Sequence, residues 1–125
     1  YQCRAKKDVP DQFEWVFAGP SAVLKDRKGA VIGKYYGPPA TWESVDGSKV
    51  TGTQLAVAPN GDGNIPLQLV KANPASGSGA MQGVSLIQRV ATQGGVPPKL
   101  ACAKANEGDK QTVPYKADYI FYRAV

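Results

Sequence analysis

Histidine is absent from all 125 residues, and that absence removes more chemistry than any residue present supplies. Without it the Ser-His-Asp and Cys-His nucleophile systems, histidine general bases and histidine metal sites are all excluded. Gly77-Ser78-Gly79 therefore has no activating base and does not read as a nucleophile elbow. Neither a G-x-x-x-x-G-K-[ST] run nor a strand-linked G-x-G-x-x-G occurs, so a cradle for nucleotide phosphates is unsupported. No apolar run approaches the ~18 residues a membrane-spanning helix needs. Long amphipathic helices are missing too; only the alanine-rich Leu100 to Glu107 is compatible with one short helical turn.

Cysteine is scarce, with Cys3 and Cys102 at opposite ends of the chain. They have no C-x-x-C spacing and no histidine partners, which argues against zinc and leaves a disulfide or two separate buried thiols. A disulfide is the favoured reading, and it would close a loop worth roughly 4–5 kcal/mol in the chain-entropy account. The chain opens at Tyr1 with no charged-then-apolar leader, which fits a mature domain whose signal peptide has been removed. The expected location is extracytoplasmic: secreted, periplasmic or cell surface.

What is present is turn punctuation, with 14 Gly and 10 Pro, and a basic excess of 15 Lys plus Arg over 10 Asp plus Glu. The basic residues are scattered rather than gathered on one strip, so they read as a solvated surface more than as a nucleic-acid footprint. Residues 1–125 are of the length and composition of one domain.

Period-two alternation recurs between turns. Phe13, Trp15 and Phe17 fall on one face of a strand, which suggests core. Asp26 to Gly29 is a turn between apolar arms. Gly37-Pro38-Pro39 makes a corner before the Trp42 segment. Asp46-Gly47 predicts a type I′ hairpin with Trp42 opposite Thr51, Glu43 opposite Val50 and Val45 opposite Ser48.

Leu55 and Val57 share a face of the next strand, and Ile65 to Ala72 forms another with Pro66 at its start. Small polar residues from Asn73 to Gly79 suggest a mobile tip. In the segment Gly83 to Val90, Val84, Leu86 and Gln88 fall on one face and Ser85, Ile87 and Arg89 on the other. Tyr115 to Arg123 has aromatics on both faces and is expected to be covered on both. The sum is an all-β, antiparallel sandwich or small barrel of about eight strands, with at most one short helix.

Three chemistries survive the exclusions. A carboxylate pair drawn from Glu14, Glu43, Asp46, Asp62 and Asp118 would suit glycoside hydrolysis if two of them converged. Asn60, Asp62 and Asn64 have the spacing that begins a calcium loop, but Ile65 and Lys71 occupy the places of its glycine and bidentate glutamate, so a surface turn is favoured. Tyr35, Tyr36, Trp42 and Glu43 offer stacking faces and a carboxylate for a sugar. Alternation sends Tyr35 and Tyr36 to opposite faces, so Trp42 and one of the tyrosines also read as core.

Several phrases taken together resemble a known family. They are Phe17-Ala18-Gly19-Pro20, the run Gly37 to Glu43, Asp46-Gly47-Ser48-Lys49-Val50, Ile65-Pro66-Leu67, Gly83 to Val90 followed by Gly94-Gly95, Cys102, and Val113 to Tyr119. In order and spacing they are similar to a family of secreted bacterial and fungal proteins, number 3455 among the domains of unknown function. The resemblance implies export behind a signal peptide, a compact β-rich domain, and a cysteine in a Tyr-x-Cys phrase, here Tyr1-Gln2-Cys3. Leu67 stands where the family carries a tryptophan. The family supplies no catalytic or binding residues.

The expectation is thus a non-enzymatic secreted or cell-envelope binding domain without cofactor or metal, recognising a polysaccharide or other surface component through Tyr35, Tyr36, Trp42 and Glu43. The alternatives are a small carboxylate-dependent hydrolase and a basic binder of nucleic acid or another anionic polymer.

Overall fold

The computed structural model describes residues 1–124. The strands are β1 (Gln2–Ala5), β2 (Phe13–Val16), β3 (Ser21–Lys25), β4 (Val31–Tyr36), β5 (Thr41–Ser44), β6 (Lys49–Ala58), β7 (Leu67–Ala72), β8 (Val84–Gly94) and β9 (Tyr115–Arg123). The helical turn expected between Leu100 and Glu107 is a three-residue 3-10 turn, Lys104–Asn106.

Strands β3 to β9 form one antiparallel meander in sequence order, and β1 with β2 makes a separate hairpin. The meander curls into a half-barrel. Tyr35 on β4 and Tyr119 on β9 are far apart in strand order, yet their ring centroids lie 5.3 Å apart across its hollow. Twist alone bends a sheet this way, and the bulges in β6 and at two places in β8 bend it further.

Inward positions of successive strands build the core: Leu24, Tyr35, Trp42, Val50, Val70, Val84 and Ile87, with Met81 from the β7–β8 loop. Trp42 is 1% exposed and Ile87 is fully buried. Trp42 stacks on Tyr35 at 4.6 Å, a geometry that adds to area burial. Gly52 on β6 makes room for it, since a Cβ there would collide with Val70 and press on the indole ring.

Local chemistry decides where strands turn. Asp26 accepts from the amides of Lys28 and Ala30, and Gly29 takes the positive φ of 86° that the turn requires. The Asp46-Gly47 hairpin forms one register away from the two-residue expectation: Trp42 pairs with Val50, Glu43 with Lys49 and Thr41 with Thr51. Its loop is three residues long because only Gly47 takes a positive φ, and because the Asp46 carboxylate is committed to the amide and hydroxyl of Ser48.

Asp46 also accepts from the Ala80 amide, while Ser76 exchanges backbone bonds with Lys49. Residues 73–79, expected as a mobile tip, are therefore pinned over the β5–β6 turn. The bulge between Val84 and Leu86 brings both Val84 and Ile87 inward, against the simple alternation of β8. β9 is covered on its inner face alone; Ile120 and Tyr122 on the other face are exposed.

Phe13, Trp15 and Phe17 do not join this core. They belong to the β1–β2 hairpin, where Trp15 donates its indole N–H to Leu100 O at 2.9 Å and Phe17 is 60% exposed. Cys3 and Cys102 are bonded, with Cα atoms 5.6 Å apart, and Cys3 is fully buried. Backbone bonds from Cys3 to Asp109 and from Gly108 to Cys3, with a further pair between Tyr1 and Gln111, lay the segment after the disulfide along β1.

Candidate functional site

The inner face of the half-barrel changes character along its length. The layer Val70–Ile87–Phe121 is apolar. One step further along β7, β8 and β9 the layer reads Gln68–Arg89–Tyr119 in direct cross-strand register, and Gln68 donates to Gln54 on β6 at 2.7 Å. Alternation carries Arg89 to the same face as Ile87, where it meets the open end of the half-barrel instead of the packed interior.

Above this polar layer lies a cleft of about 520 Å³. The half-barrel supplies Ser21, Tyr35, Gln54, Val57, Gln68, Arg89 and Tyr115 to its lining; Tyr1 and Phe17 come from the hairpin region, and Gln111 to Val113 from the returning segment. Tyr1 and Phe17 pair edge to face at 5.7 Å, and the Tyr1 hydroxyl donates to Gly95 O. That bond joins the hairpin region to the end of β8.

The end of β8 is shaped to receive it. Ala91, at φ 52°, is the one non-glycine residue with positive φ among those described, and it marks the bulge between Val90 and Gln93. The bulge turns Thr92 inward, where its hydroxyl accepts from Asn60 at 2.9 Å and donates to Ile65 O at 2.6 Å. Asn64 bonds Asn60 O and accepts from the Gly94 amide, so both asparagines of the calcium-like spacing are used in holding this corner. Among the described residues no three of His, Cys, Asp and Glu gather to hold a metal.

Electrostatically the cleft has one charged side chain, Arg89. Its Nε and Nη2 both donate to Pro66 O, at 3.1 and 2.9 Å, which fixes the guanidinium in place. Burial and then the hydrogen bond with Tyr115 push the Tyr119 phenol upward, and Arg89 acts in the opposite direction. Tyr1 and Tyr35 are raised by burial against the same positive charge. All three phenols stay protonated near neutral pH and can donate as well as accept.

The four residues expected to form a sugar platform are not brought together. Trp42 is in the core, with an indole N–H that has no hydrogen-bond partner. Tyr35 is buried against it and shows one edge to the cleft. Tyr36 and Glu43 lie on the outer face, where the Tyr36 hydroxyl donates to Glu43 at 2.9 Å and Lys34 pairs with the same carboxylate at 3.8 Å. Pleat alternation divides them this way. None of the five acids considered for hydrolysis lines the cleft. Arg89, Gln68, Tyr1 and Tyr115 were not singled out from the sequence, although the alternation that placed Arg89 in phase with Ile87 was visible there.

Fold and cleft together define an antiparallel β domain with a ligand-sized opening between a half-barrel and a disulfide-tied hairpin. The model of a family described as a protein of unknown function, DUF3455, matches residues 1–123, and the chain belongs to that family. Comparison with curated proteins and with solved structures gives no match. No helix among the described residues is long and apolar enough to cross a membrane.

Proposed function

We propose that the protein is an extracytoplasmic binding domain that receives a glycan or comparable surface component in the cleft beside Arg89. The observation that carries this reading is the cleft itself. Its volume is within the roughly 300–1,000 Å³ of small-molecule sites, with aromatic faces at the rim and convergent amides and hydroxyls at the floor. Sugar rings stack on such faces, and glutamine amides and phenols bond their hydroxyls. The Cys3–Cys102 bond supports an oxidising compartment. Binding without turnover fits a lining that has neither a carboxylate nor a histidine.

A glycan array with three proteins tests the proposal. Wild type is expected to retain a subset of glycans, Ser21→Trp to lose them by filling the cleft from the exposed edge strand β3, and Tyr36→Ala to keep them. Retention by Ser21→Trp together with loss in Tyr36→Ala would move the site to the outer face and overturn the reading.

A further inference from the structure

Arg89 is the one charged side chain of the cleft, and among the described residues no carboxylate pairs with it. The ion pair formed among the described residues is Lys34–Glu43, on the other face of the sheet. A guanidinium has five N–H donors. Pro66 O takes two of Arg89's, and the other three have no protein acceptor among the described residues. The two bonds to a single carbonyl hold the fork still, so little freedom is lost when a ligand engages the remaining edge.

Its surroundings match one kind of ligand. Gln68 flanks Arg89 in register on β7 and is bonded to Gln54, and both line the cleft together with Tyr115. These are donors and acceptors for hydroxyls placed next to a charge. Tyr1 and Phe17 at the rim offer apolar ring faces.

We infer that the ligand taken by this cleft is an acidic sugar, a pyranose bearing a ring carboxylate, and that Arg89 is the group that reads the carboxylate. The inference rests on the binding reading above. A carboxylate carries one negative charge and presents two oxygens to the planar fork, and one guanidinium balances it. A phosphate monoester carries nearly two charges at neutral pH, and the lining of the cleft has no second charged side chain for the excess.

Titration calorimetry with methyl glucuronoside, methyl glucoside and glucose 6-phosphate tests this on wild type, Arg89→Gln, Arg89→Lys and Ser21→Trp. Wild type is expected to bind the glucuronoside at least about tenfold tighter than the neutral glucoside, the margin of a charge-assisted pair. It should also bind the glucuronoside more tightly than the phosphate. Arg89→Gln should erase the preference for the acid, bringing the glucuronoside and glucoside affinities together. Arg89→Lys should keep only part of it, because an ammonium does not reproduce the fork.

Equal binding of acid and neutral sugar by wild type, lost in Ser21→Trp, would overturn the acidic-sugar inference and leave the cleft as a glycan site. A preference for the phosphate would also overturn it. Binding of the glucuronoside that survives both Arg89→Gln and Ser21→Trp would overturn the inference and the cleft reading together. Thermal unfolding of each variant separates loss of binding from loss of fold, since Arg89 is half-exposed and Ser21 exposed.

Discussion

The two tryptophans mark two regions held together by different physics. Trp42 lies in the half-barrel, 1% exposed and stacked on Tyr35, in a core to which every strand of the meander contributes. Trp15 lies in the β1–β2 hairpin, half-buried, and its defined polar contact is one indole N–H bond to a loop carbonyl. The half-barrel is stabilised by apolar burial. The hairpin region is stabilised by a covalent bond and by main-chain bonds to the segment 108–111, with Cys3 its one fully buried side chain. The cleft lies where the two regions meet, so its floor is rigid and its hairpin rim depends on a docking that is not built from core packing.

Substitution of the two tryptophans separates the regions most sharply. Trp42→Ala is expected to cost about 3–5 kcal/mol in urea denaturation, through lost burial and a cavity that the strands cannot close. Trp15→Phe, which removes the indole N–H, is expected to cost about 1 kcal/mol. Equal costs would erase the distinction.

Loss of the disulfide comes next. The double variant Cys3→Ala with Cys102→Ala is expected to lose about 2–4 kcal/mol of global stability. Native-state hydrogen exchange should show the amides of Cys3, Gly108 and Gln111 losing protection before those of β6 to β8. Simultaneous loss in both regions would mean that the hairpin is packed as firmly as the sheet.

Acid acts on the far end of the half-barrel. The Ser48 hydroxyl first, then the amides of Ala80 and Ser48, hold the Asp46 carboxylate at about 2, below its ordinary 3.8. A lowered folded value means that this contribution is complete above about pH 4 and is lost as the pH falls toward 2. Asp46→Asn should flatten that part of the stability curve and lower it near neutrality, where the ionised acceptor contributes, so that variant and wild type converge as the pH falls toward 2. An acid limb of the same steepness in the variant would show that Asp46 is not its source.

The smallest effect is expected at the cleft corner. Ala91→Gly relieves a left-handed backbone but gives the unfolded chain more freedom, so a gain under about 1 kcal/mol is expected in thermal unfolding. A loss would mean that the Ala91 methyl packs more tightly than its φ suggests.

Turn chemistry made much of this fold legible in the sequence. Asp26 to Gly29 and Asp46-Gly47 announce their hairpins because an aspartate that bonds the backbone ahead and a glycine free to take positive φ are local properties. The one-register difference at the second hairpin accompanies bonds to Asp46 from Ser48, which is local, and from Ala80, which lies 34 residues beyond Asp46 and is not. The cysteine pair was legible by count, whereas the separate hairpin holding Phe13, Trp15 and Phe17 was not. Alternation says that aromatics share a face but not which sheet that face belongs to.

The cleft was the least legible feature. Arg89 alternates in phase with Ile87, but one faces packed side chains and the other an opening. That difference arises from the curl that brings Tyr35 near Tyr119 and from the docking of Tyr1 on Gly95. Both are long-range facts, and no spacing in the sequence encodes them.

Chemical-shift mapping during titration of the wild-type protein with the glycan it retains most strongly on the array tests the central claim most directly. The account predicts that perturbed resonances cluster on Tyr1, Gln68, Arg89, Gly95 and Tyr115, drawing on both regions at once. Perturbations gathered around Lys34, Tyr36 and Glu43 on the outer face, or none anywhere, would contradict it.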